Sequence, residues 1–208
     1  MPLKLNEREY RALVSPLSIV GQDKRIDSEH YVEGYATTFD KPYVLWEYDG
    51  VKYYEVVDRH ALDGADLSDV IFQYDHQGKV LARNSNKTLI VEATDAGLFV
   101  CADLSKSAAA KEMYQEIDAG LVTKMSYAYT VSEESYNKDT RTRTILKIKK
   151  VYDVSAVSIP ANSSTDISAR SYAEGRAEAE RLEQLGREKR QNDIDKLKLK
   201  IKISNLEV

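Results

Sequence analysis

The stretch Gly120-Leu-Val-Thr-Lys-Met-Ser-Tyr-Ala-Tyr129 decides how this chain is read. A glycine suited to ending a helix is followed at once by a short apolar strand, and that strand carries a single serine, Ser126. Upstream, Ser105 to Ala119 reads as a helix: Ser105 or Ser107 can cap it, Ala108, Ala109 and Ala110 favour it, and Gly120 closes it. Downstream, Met125 to Ser132 and Arg143 to Val157 read as strands, and Pro160-Ala161-Asn162 stops the last one. A strand sends alternate side chains to opposite faces, so Met125, Tyr127, Tyr129 and Val131 share one face, and Ser126, Ala128 and Thr130 the other. The small side chains around Ser126 predict room there for a peptide.

Further out, Tyr31 to Phe39 reads as a strand with a glycine break, and Val44 to Val57 as a hairpin around Asp49-Gly50. Asp58 to Asp69 predicts a short helix and loop, and Val70 to Tyr74 a strand leading to His76-Gln77-Gly78. Thr88 to Ala93 and Gly97 to Asp103 are two more strands. The fold class is therefore mainly β with helices (α+β), a compact β-barrel or packed sheet with helical insertions. A doubly wound α/β fold would alternate strands and helices regularly, and this chain does not.

Composition shifts near Ser168, which divides the chain into a body, 1–168, and a charged tail, 169–208. Ala173 to Lys196 is dense in Ala, Glu and Arg and reads as a solvated helix. Lys196 to Ser204 alternates Lys with Leu or Ile, a period of two that formally favours a strand. The tail is either a solvated linker, removable after use, or a segment that docks on a partner.

The formal net charge of -4 argues against general nucleic-acid affinity. No apolar run approaches the roughly 20 residues needed to cross a bilayer, and Met1 to Tyr10 has no apolar signal region, so a soluble protein without membrane partner is expected. The lone cysteine, Cys101, lies in an alternating apolar strand and reads as a buried small residue rather than a nucleophile. Three scattered histidines, no His-Glu-x-x-His, no Cys-x-x-Cys and no phosphate-cradling glycine loop leave no reason to expect a metal or cofactor.

Among the histidines, His30 and His60 lie in polar stretches and are expected at the surface, whereas His76 ends an apolar strand beside a glycine turn. Asp153 interrupts the nearly continuous apolar run from Ile148 to Ile159. A carboxylate there must face solvent or meet a cation or hydrogen-bond donors, because burying it alone is costly. Each residue has an ordinary reading: a strand serine, a satisfied histidine, a solvent-facing aspartate. Together, Ser126, His76 and Asp153 supply a nucleophile, a base and an orienting acid, each from a different strand, as hydrolysis of an acyl bond requires.

The order of these pieces resembles the tailed-phage prohead serine proteases, over roughly residues 31–168. The resemblance rests on Gly34-Tyr35-Ala36 with Phe39-Asp40, the strand ending in His76, Leu81-Ala82-Arg83, Gly97-Leu98 before the helix, Met125-Ser126-Tyr127, and Asp153-Val154-Ser155-Ala156-Val157-Ser158-Ile159-Pro160-Ala161-Asn162. The chain departs from the usual pattern in carrying Ala82 and Ala128 where glycine is customary, Tyr129 for phenylalanine, and Asp153 for the commoner glutamate. The resemblance implies a β-barrel ringed by helices, similar to the herpesvirus assemblins. It implies Ser126 as nucleophile, His76 as general base and Asp153 as third member, with Arg83 one candidate oxyanion donor beside backbone N–H groups. It further implies cleavage of scaffold, or of a scaffold-like N-terminal segment of the major capsid protein, together with self-processing, inside the assembling prohead in the host cytoplasm. A homodimer is the oligomer it suggests. The competing function is a non-catalytic scaffold or assembly protein with the same charged tail.

Overall fold

The computed structural model describes residues 7–19, 24–48, 50–157 and 163–204. Ten strands and two helices follow in chain order: β1 (Arg8–Pro16), β2 (Tyr31–Thr38), β3 (Tyr43–Tyr48), β4 (Val51–Val57), β5 (Ile71–Tyr74), β6 (Gln77–Arg83), β7 (Leu89–Ala93), β8 (Gly97–Asp103), α1 (Ala108–Asp118), β9 (Lys124–Asn137), β10 (Thr142–Val157) and α2 (Ser163–Ser204). The fold is mainly β, as expected. The anticipated stops at Pro160-Ala161-Asn162 and the turn residue Asp49 lie outside the described residues.

The strands form two sheets. The larger has seven strands in the order β1-β9-β10-β4-β3, with β5 and β6 attached to the same edge of β10 further along. Thus β10 runs parallel to β4 from Thr142 to Ile145 and parallel to β5 from Asp153 to Ala156. The smaller sheet is β2-β8-β7. Single bridges join the sheets at Ser18–Glu33 and Phe39–Val57, but the sheets do not close into a barrel among the described residues. The barrel expectation is corrected accordingly, and the two helices among the described residues form no ring around the strands.

The main core lies between the sheets and against α1. Phe72, Leu98, Val100, Met125, Tyr127 and Val154 meet Ala110, Met113 and Ile117 there. All seven residues of β8 are buried, which explains its continuous apolar sequence. Phe99 and Cys101 face the other way and form a second small cluster with Tyr31, so Cys101 is a packed apolar residue. A Cβ at Gly97 would sit 1.9 Å from the carbonyl oxygen of Thr37, so only glycine lets β8 approach β2 at that end.

Helix α1 matches its reading closely. Ser107 is the cap, its Oγ accepting from the Ala110 N–H at 3.1 Å. Gly120, with φ of 71°, follows the last turn, and Leu121 N–H returns to the Glu116 carbonyl at 2.9 Å.

Three readings differ. Asp58 to Asp69 forms successive turns, with Ala61 and Leu62 buried and N–H groups of Ala61, Asp63 and Ala65 bonded three residues back, rather than a helix. Lys196 to Ser204, despite its period of two, lies within α2. β1 and β6 have no counterpart in the sequence reading. The first of these is held by buried charge: Arg11 donates from Nε to Glu55 Oε1 at 2.6 Å and from Nη2 to Glu9 Oε2 at 2.7 Å. Arg143 on β10 donates from Nη1 to Glu55 Oε2 at 2.8 Å and to Glu9 Oε2 at 2.6 Å. The Tyr43 hydroxyl also bonds Glu55. Burial pushes the Glu55 carboxyl up, but the Arg11 and Arg143 guanidiniums outweigh it and hold it down at about 2.

Helix α2 lies beside β1 and β3 and is tied by side chains to the β9–β10 hairpin. Tyr136 donates to Glu180 at 3.1 Å, Lys138 pairs with Glu183 at 2.6 Å, and the Arg176 guanidinium lies 4.2 Å from the Tyr136 ring centroid.

Candidate active site

β9 and β10 pair antiparallel with Ser155 opposite Ser126 and Asp153 opposite Ala128. Opposed residues project to the same side of a sheet, so Ser126, Ala128, Asp153 and Ser155 share one face. β5 lies on the other edge of β10, with Asp153 beside Ile71 and Ala156 beside Tyr74. The turn after β5 therefore arrives next to Ser155.

That turn is the two-residue link Asp75-His76, closed by the Tyr74–Gln77 pair. Both central residues have positive φ, 45° and 57°, the signs of a type I′ hairpin. Left-handed backbone is unfavourable for residues with a Cβ, and here two bonds to β10 hold it. Asp75 N–H donates to the Ala156 carbonyl at 3.0 Å, and His76 N–H donates to Ser155 Oγ at 3.2 Å. His76 thus sits in the turn beyond the strand that its sequence context suggested.

The three candidates meet. His76 Nε2 is 2.7 Å from Ser126 Oγ, and His76 Nδ1 is hydrogen bonded to Asp153 Oδ1. Ser155 Oγ donates to Asp153 Oδ1 at 3.1 Å. With Nδ1–H directed at the carboxylate, Nε2 keeps the lone pair that can accept the serine proton. Asp153 is 4 % exposed, so it takes the partnered option open to a carboxylate in an apolar strand.

The small residues beside Ser126 do not leave an open groove. Ser126, Ala128 and Thr130 are all buried, Ser126 to 1 % exposure. Ser126 Oγ also donates to the carbonyl of Arg11 at 2.9 Å, and the Tyr10 ring stands edge-on to His76, centroids 4.8 Å apart. The small side chains let the imidazole and the neighbouring strand approach the serine closely.

The other residues sort themselves. His60 is exposed, with Nδ1 2.9 Å from Asp63. His30 is half-buried against the Tyr114 ring rather than at the surface as expected. Arg83 pairs with Asp69 at the surface, 2.7 Å from Nε, and registers with Ile71 at the far end of the β5–β6 hairpin from His76. That position gives it no contact with Ser126. Sequence reasoning assigned nothing to Ser155, Tyr10 or Arg11. For Ser155 a signal existed, since it lies two residues from Asp153 and so on the same strand face.

No group of three or more His, Cys, Asp or Glu among the described residues could hold a metal ion, and no described helix is long and apolar enough to cross a membrane. The site's equipment is a hydroxyl, an imidazole and a carboxylate in series, which suits nucleophilic attack on a carbonyl. No curated protein and no solved structure matches the chain. The model of one family, the caudovirus prohead serine proteases, matches residues 18–178, a span that contains His76, Ser126 and Asp153. The chain belongs to the caudovirus prohead serine protease family.

Proposed function

We propose that the chain performs its family's hydrolysis through Ser126 as nucleophile, His76 as general base and Asp153 as the acid that orients it. The observation that carries this reading is the unbroken series Asp153 Oδ1, His76 Nδ1, His76 Nε2, Ser126 Oγ, with the last contact at 2.7 Å. His76 takes the hydroxyl proton as Ser126 Oγ attacks the scissile carbonyl, and returns it to the leaving amine. Asp153 keeps the imidazole in the tautomer with Nδ1–H and stabilises the imidazolium. Backbone N–H groups serve as oxyanion donors, since Arg83 is engaged by Asp69.

As a capsid maturation protease, the protein works on polypeptide within an assembling prohead. Its substrates in this proposal are the scaffold protein, or the scaffold-like N-terminal segment of the major capsid protein, and its own chain. Residues 1–168 are the protease unit, and 169–208 form an appendage that binds scaffold or capsid. The contacts of α2 with the body at Tyr136 and Lys138 support an appendage, because the surface beyond them, including Leu185, Ile194 and Leu197, is exposed.

Co-expression with the cognate capsid and scaffold proteins tests the reading. Intact masses are expected to show a discrete truncation with wild type and none with Ser126→Ala. Identical masses in assembled shells with both proteins would overturn it.

A further inference from the structure

We propose that Ser155 is a positioning residue of this site, holding the base by its backbone and the acid by its carboxylate at the same time. The inference rests on the roles proposed above for Ser126, His76 and Asp153.

Ser155 is fully buried and directly opposite Ser126 across the β9–β10 ladder. A serine hydroxyl has one proton to give and lone pairs to accept. The proton goes to Asp153 Oδ1 at 3.1 Å. A lone pair receives the backbone N–H of His76 at 3.2 Å. The Nδ1 atom of His76 is also 3.2 Å away, but its proton is directed at Asp153, so that approach is close packing beside the Asp–His bond.

Both groups held by Ser155 need holding. His76 has a φ of 57°, which a β-carbon disfavours, and its N–H is pinned by Ser155. Without that acceptor the turn can relax toward commoner backbone angles, and the imidazole moves with it. Asp153 would lose a donor that fixes the orientation of its carboxylate, the same oxygen that receives Nδ1–H. A second layer of hydrogen bonds that orients the reacting layer is a general requirement of a precise site. One hydroxyl here serves two members at once, and it comes from the strand that also carries the acid.

The test is the rate at which a fluorophosphonate labels Ser126 in the full chain, read beside the low-field proton resonance of the His76 Nδ1–H bond. Ser155→Ala is expected to fold, to label more slowly by on the order of 100-fold, as a misplacement of about 1 Å can cause, and to shift or broaden the resonance. Ser155→Thr retains the hydroxyl and is expected to restore both. Labelling at the wild-type rate with an unchanged resonance in Ser155→Ala would overturn the role. Should Ser155→Ala fail to fold, Ser155→Cys keeps nearly the same volume with a weaker donor, and wild-type behaviour there would overturn it equally. Failure of wild type to label at Ser126 would instead remove the underlying reading, and this inference with it.

Discussion

The hydroxyl of Ser126 lies 2.9 Å from the carbonyl oxygen of Arg11, a residue 115 positions earlier in the chain. The same hydroxyl lies 2.7 Å from His76 Nε2. It has one proton and two acceptors, so the N-terminal strand competes with the imidazole for it in the resting protein. In the proposed mechanism the proton must go to His76, and approach of a polypeptide to a serine only 1 % exposed requires Tyr10 and its strand to yield.

Ser126→Ala is expected to abolish cleavage by a factor on the order of 10⁶ in turnover. It should change stability by only about 1 kcal/mol, the worth of an ordinary hydrogen bond. Turnover on a cleavable capsid segment and chemical denaturation check the two halves. Appreciable cleavage by the folded variant would remove Ser126 from its role.

Asp153→Asn keeps the shape of the acid but can present an amide N–H to His76 Nδ1 and so favour the wrong tautomer. Turnover is expected to fall by roughly 10⁴ with substrate binding largely kept. Separate measurement of kcat and KM decides this, and a loss confined to KM would contradict it.

Glu55→Gln should destabilise the fold at neutral pH by about 3 kcal/mol, because Arg11 and Arg143 lose their shared buried carboxylate. The pH dependence has a definite sign. The Glu55 carboxyl is held at about 2 against an ordinary value of 4.5, so its stabilisation is complete above 4.5 and is lost as pH falls toward 2. The gap between wild type and variant in urea midpoints should therefore narrow across that window. A gap that stays constant from neutral pH down to 2 would show that charge is not what Glu55 contributes.

Gly97→Ala places a methyl 1.9 Å from the Thr37 carbonyl oxygen, against backbone that cannot rotate away. A loss of about 3 kcal/mol is expected, the upper end for overpacking, with β2 and β8 forced apart. Hydrogen exchange of the β2–β8 amides reports it directly; unchanged protection would mean the strands absorb the methyl.

Much of the site could be read from residue order. Ser126 and Asp153 stood out because each interrupts an apolar strand, and a polar group in such a place needs a partner. His76 stood out by its neighbours, although its left-handed turn geometry was invisible, since Asp75-His76 lacks the glycine that usually announces such a hairpin. The strand β1 was not legible for a related reason. Glu-Arg-Glu-Tyr-Arg at 7–11 looks like solvated surface, and only the meeting of Glu9 and Arg11 with Glu55 and Arg143, from distant parts of the chain, makes burial tolerable. Long-range ion pairs leave no local period. The tail misled in the opposite direction: alternation of Lys with Leu and Ile suggests a strand, but the stretch is simply the last part of the 42-residue helix Ser163–Ser204.

The pairing of β9 with β10 has a consequence for timing. A slip of one residue in that ladder would turn Ser155 and Asp153 to the opposite side of the sheet and leave Ser126 facing the wrong neighbours. His76 would still have to arrive from β5, which pairs with the same strand on its other edge. A chain still folding, or folded with strands misaligned, therefore carries all three reactive groups and no means of using them. For a capsid maturation protease acting through the proposed residues, correct alignment of two strands is a safeguard against untimely cleavage.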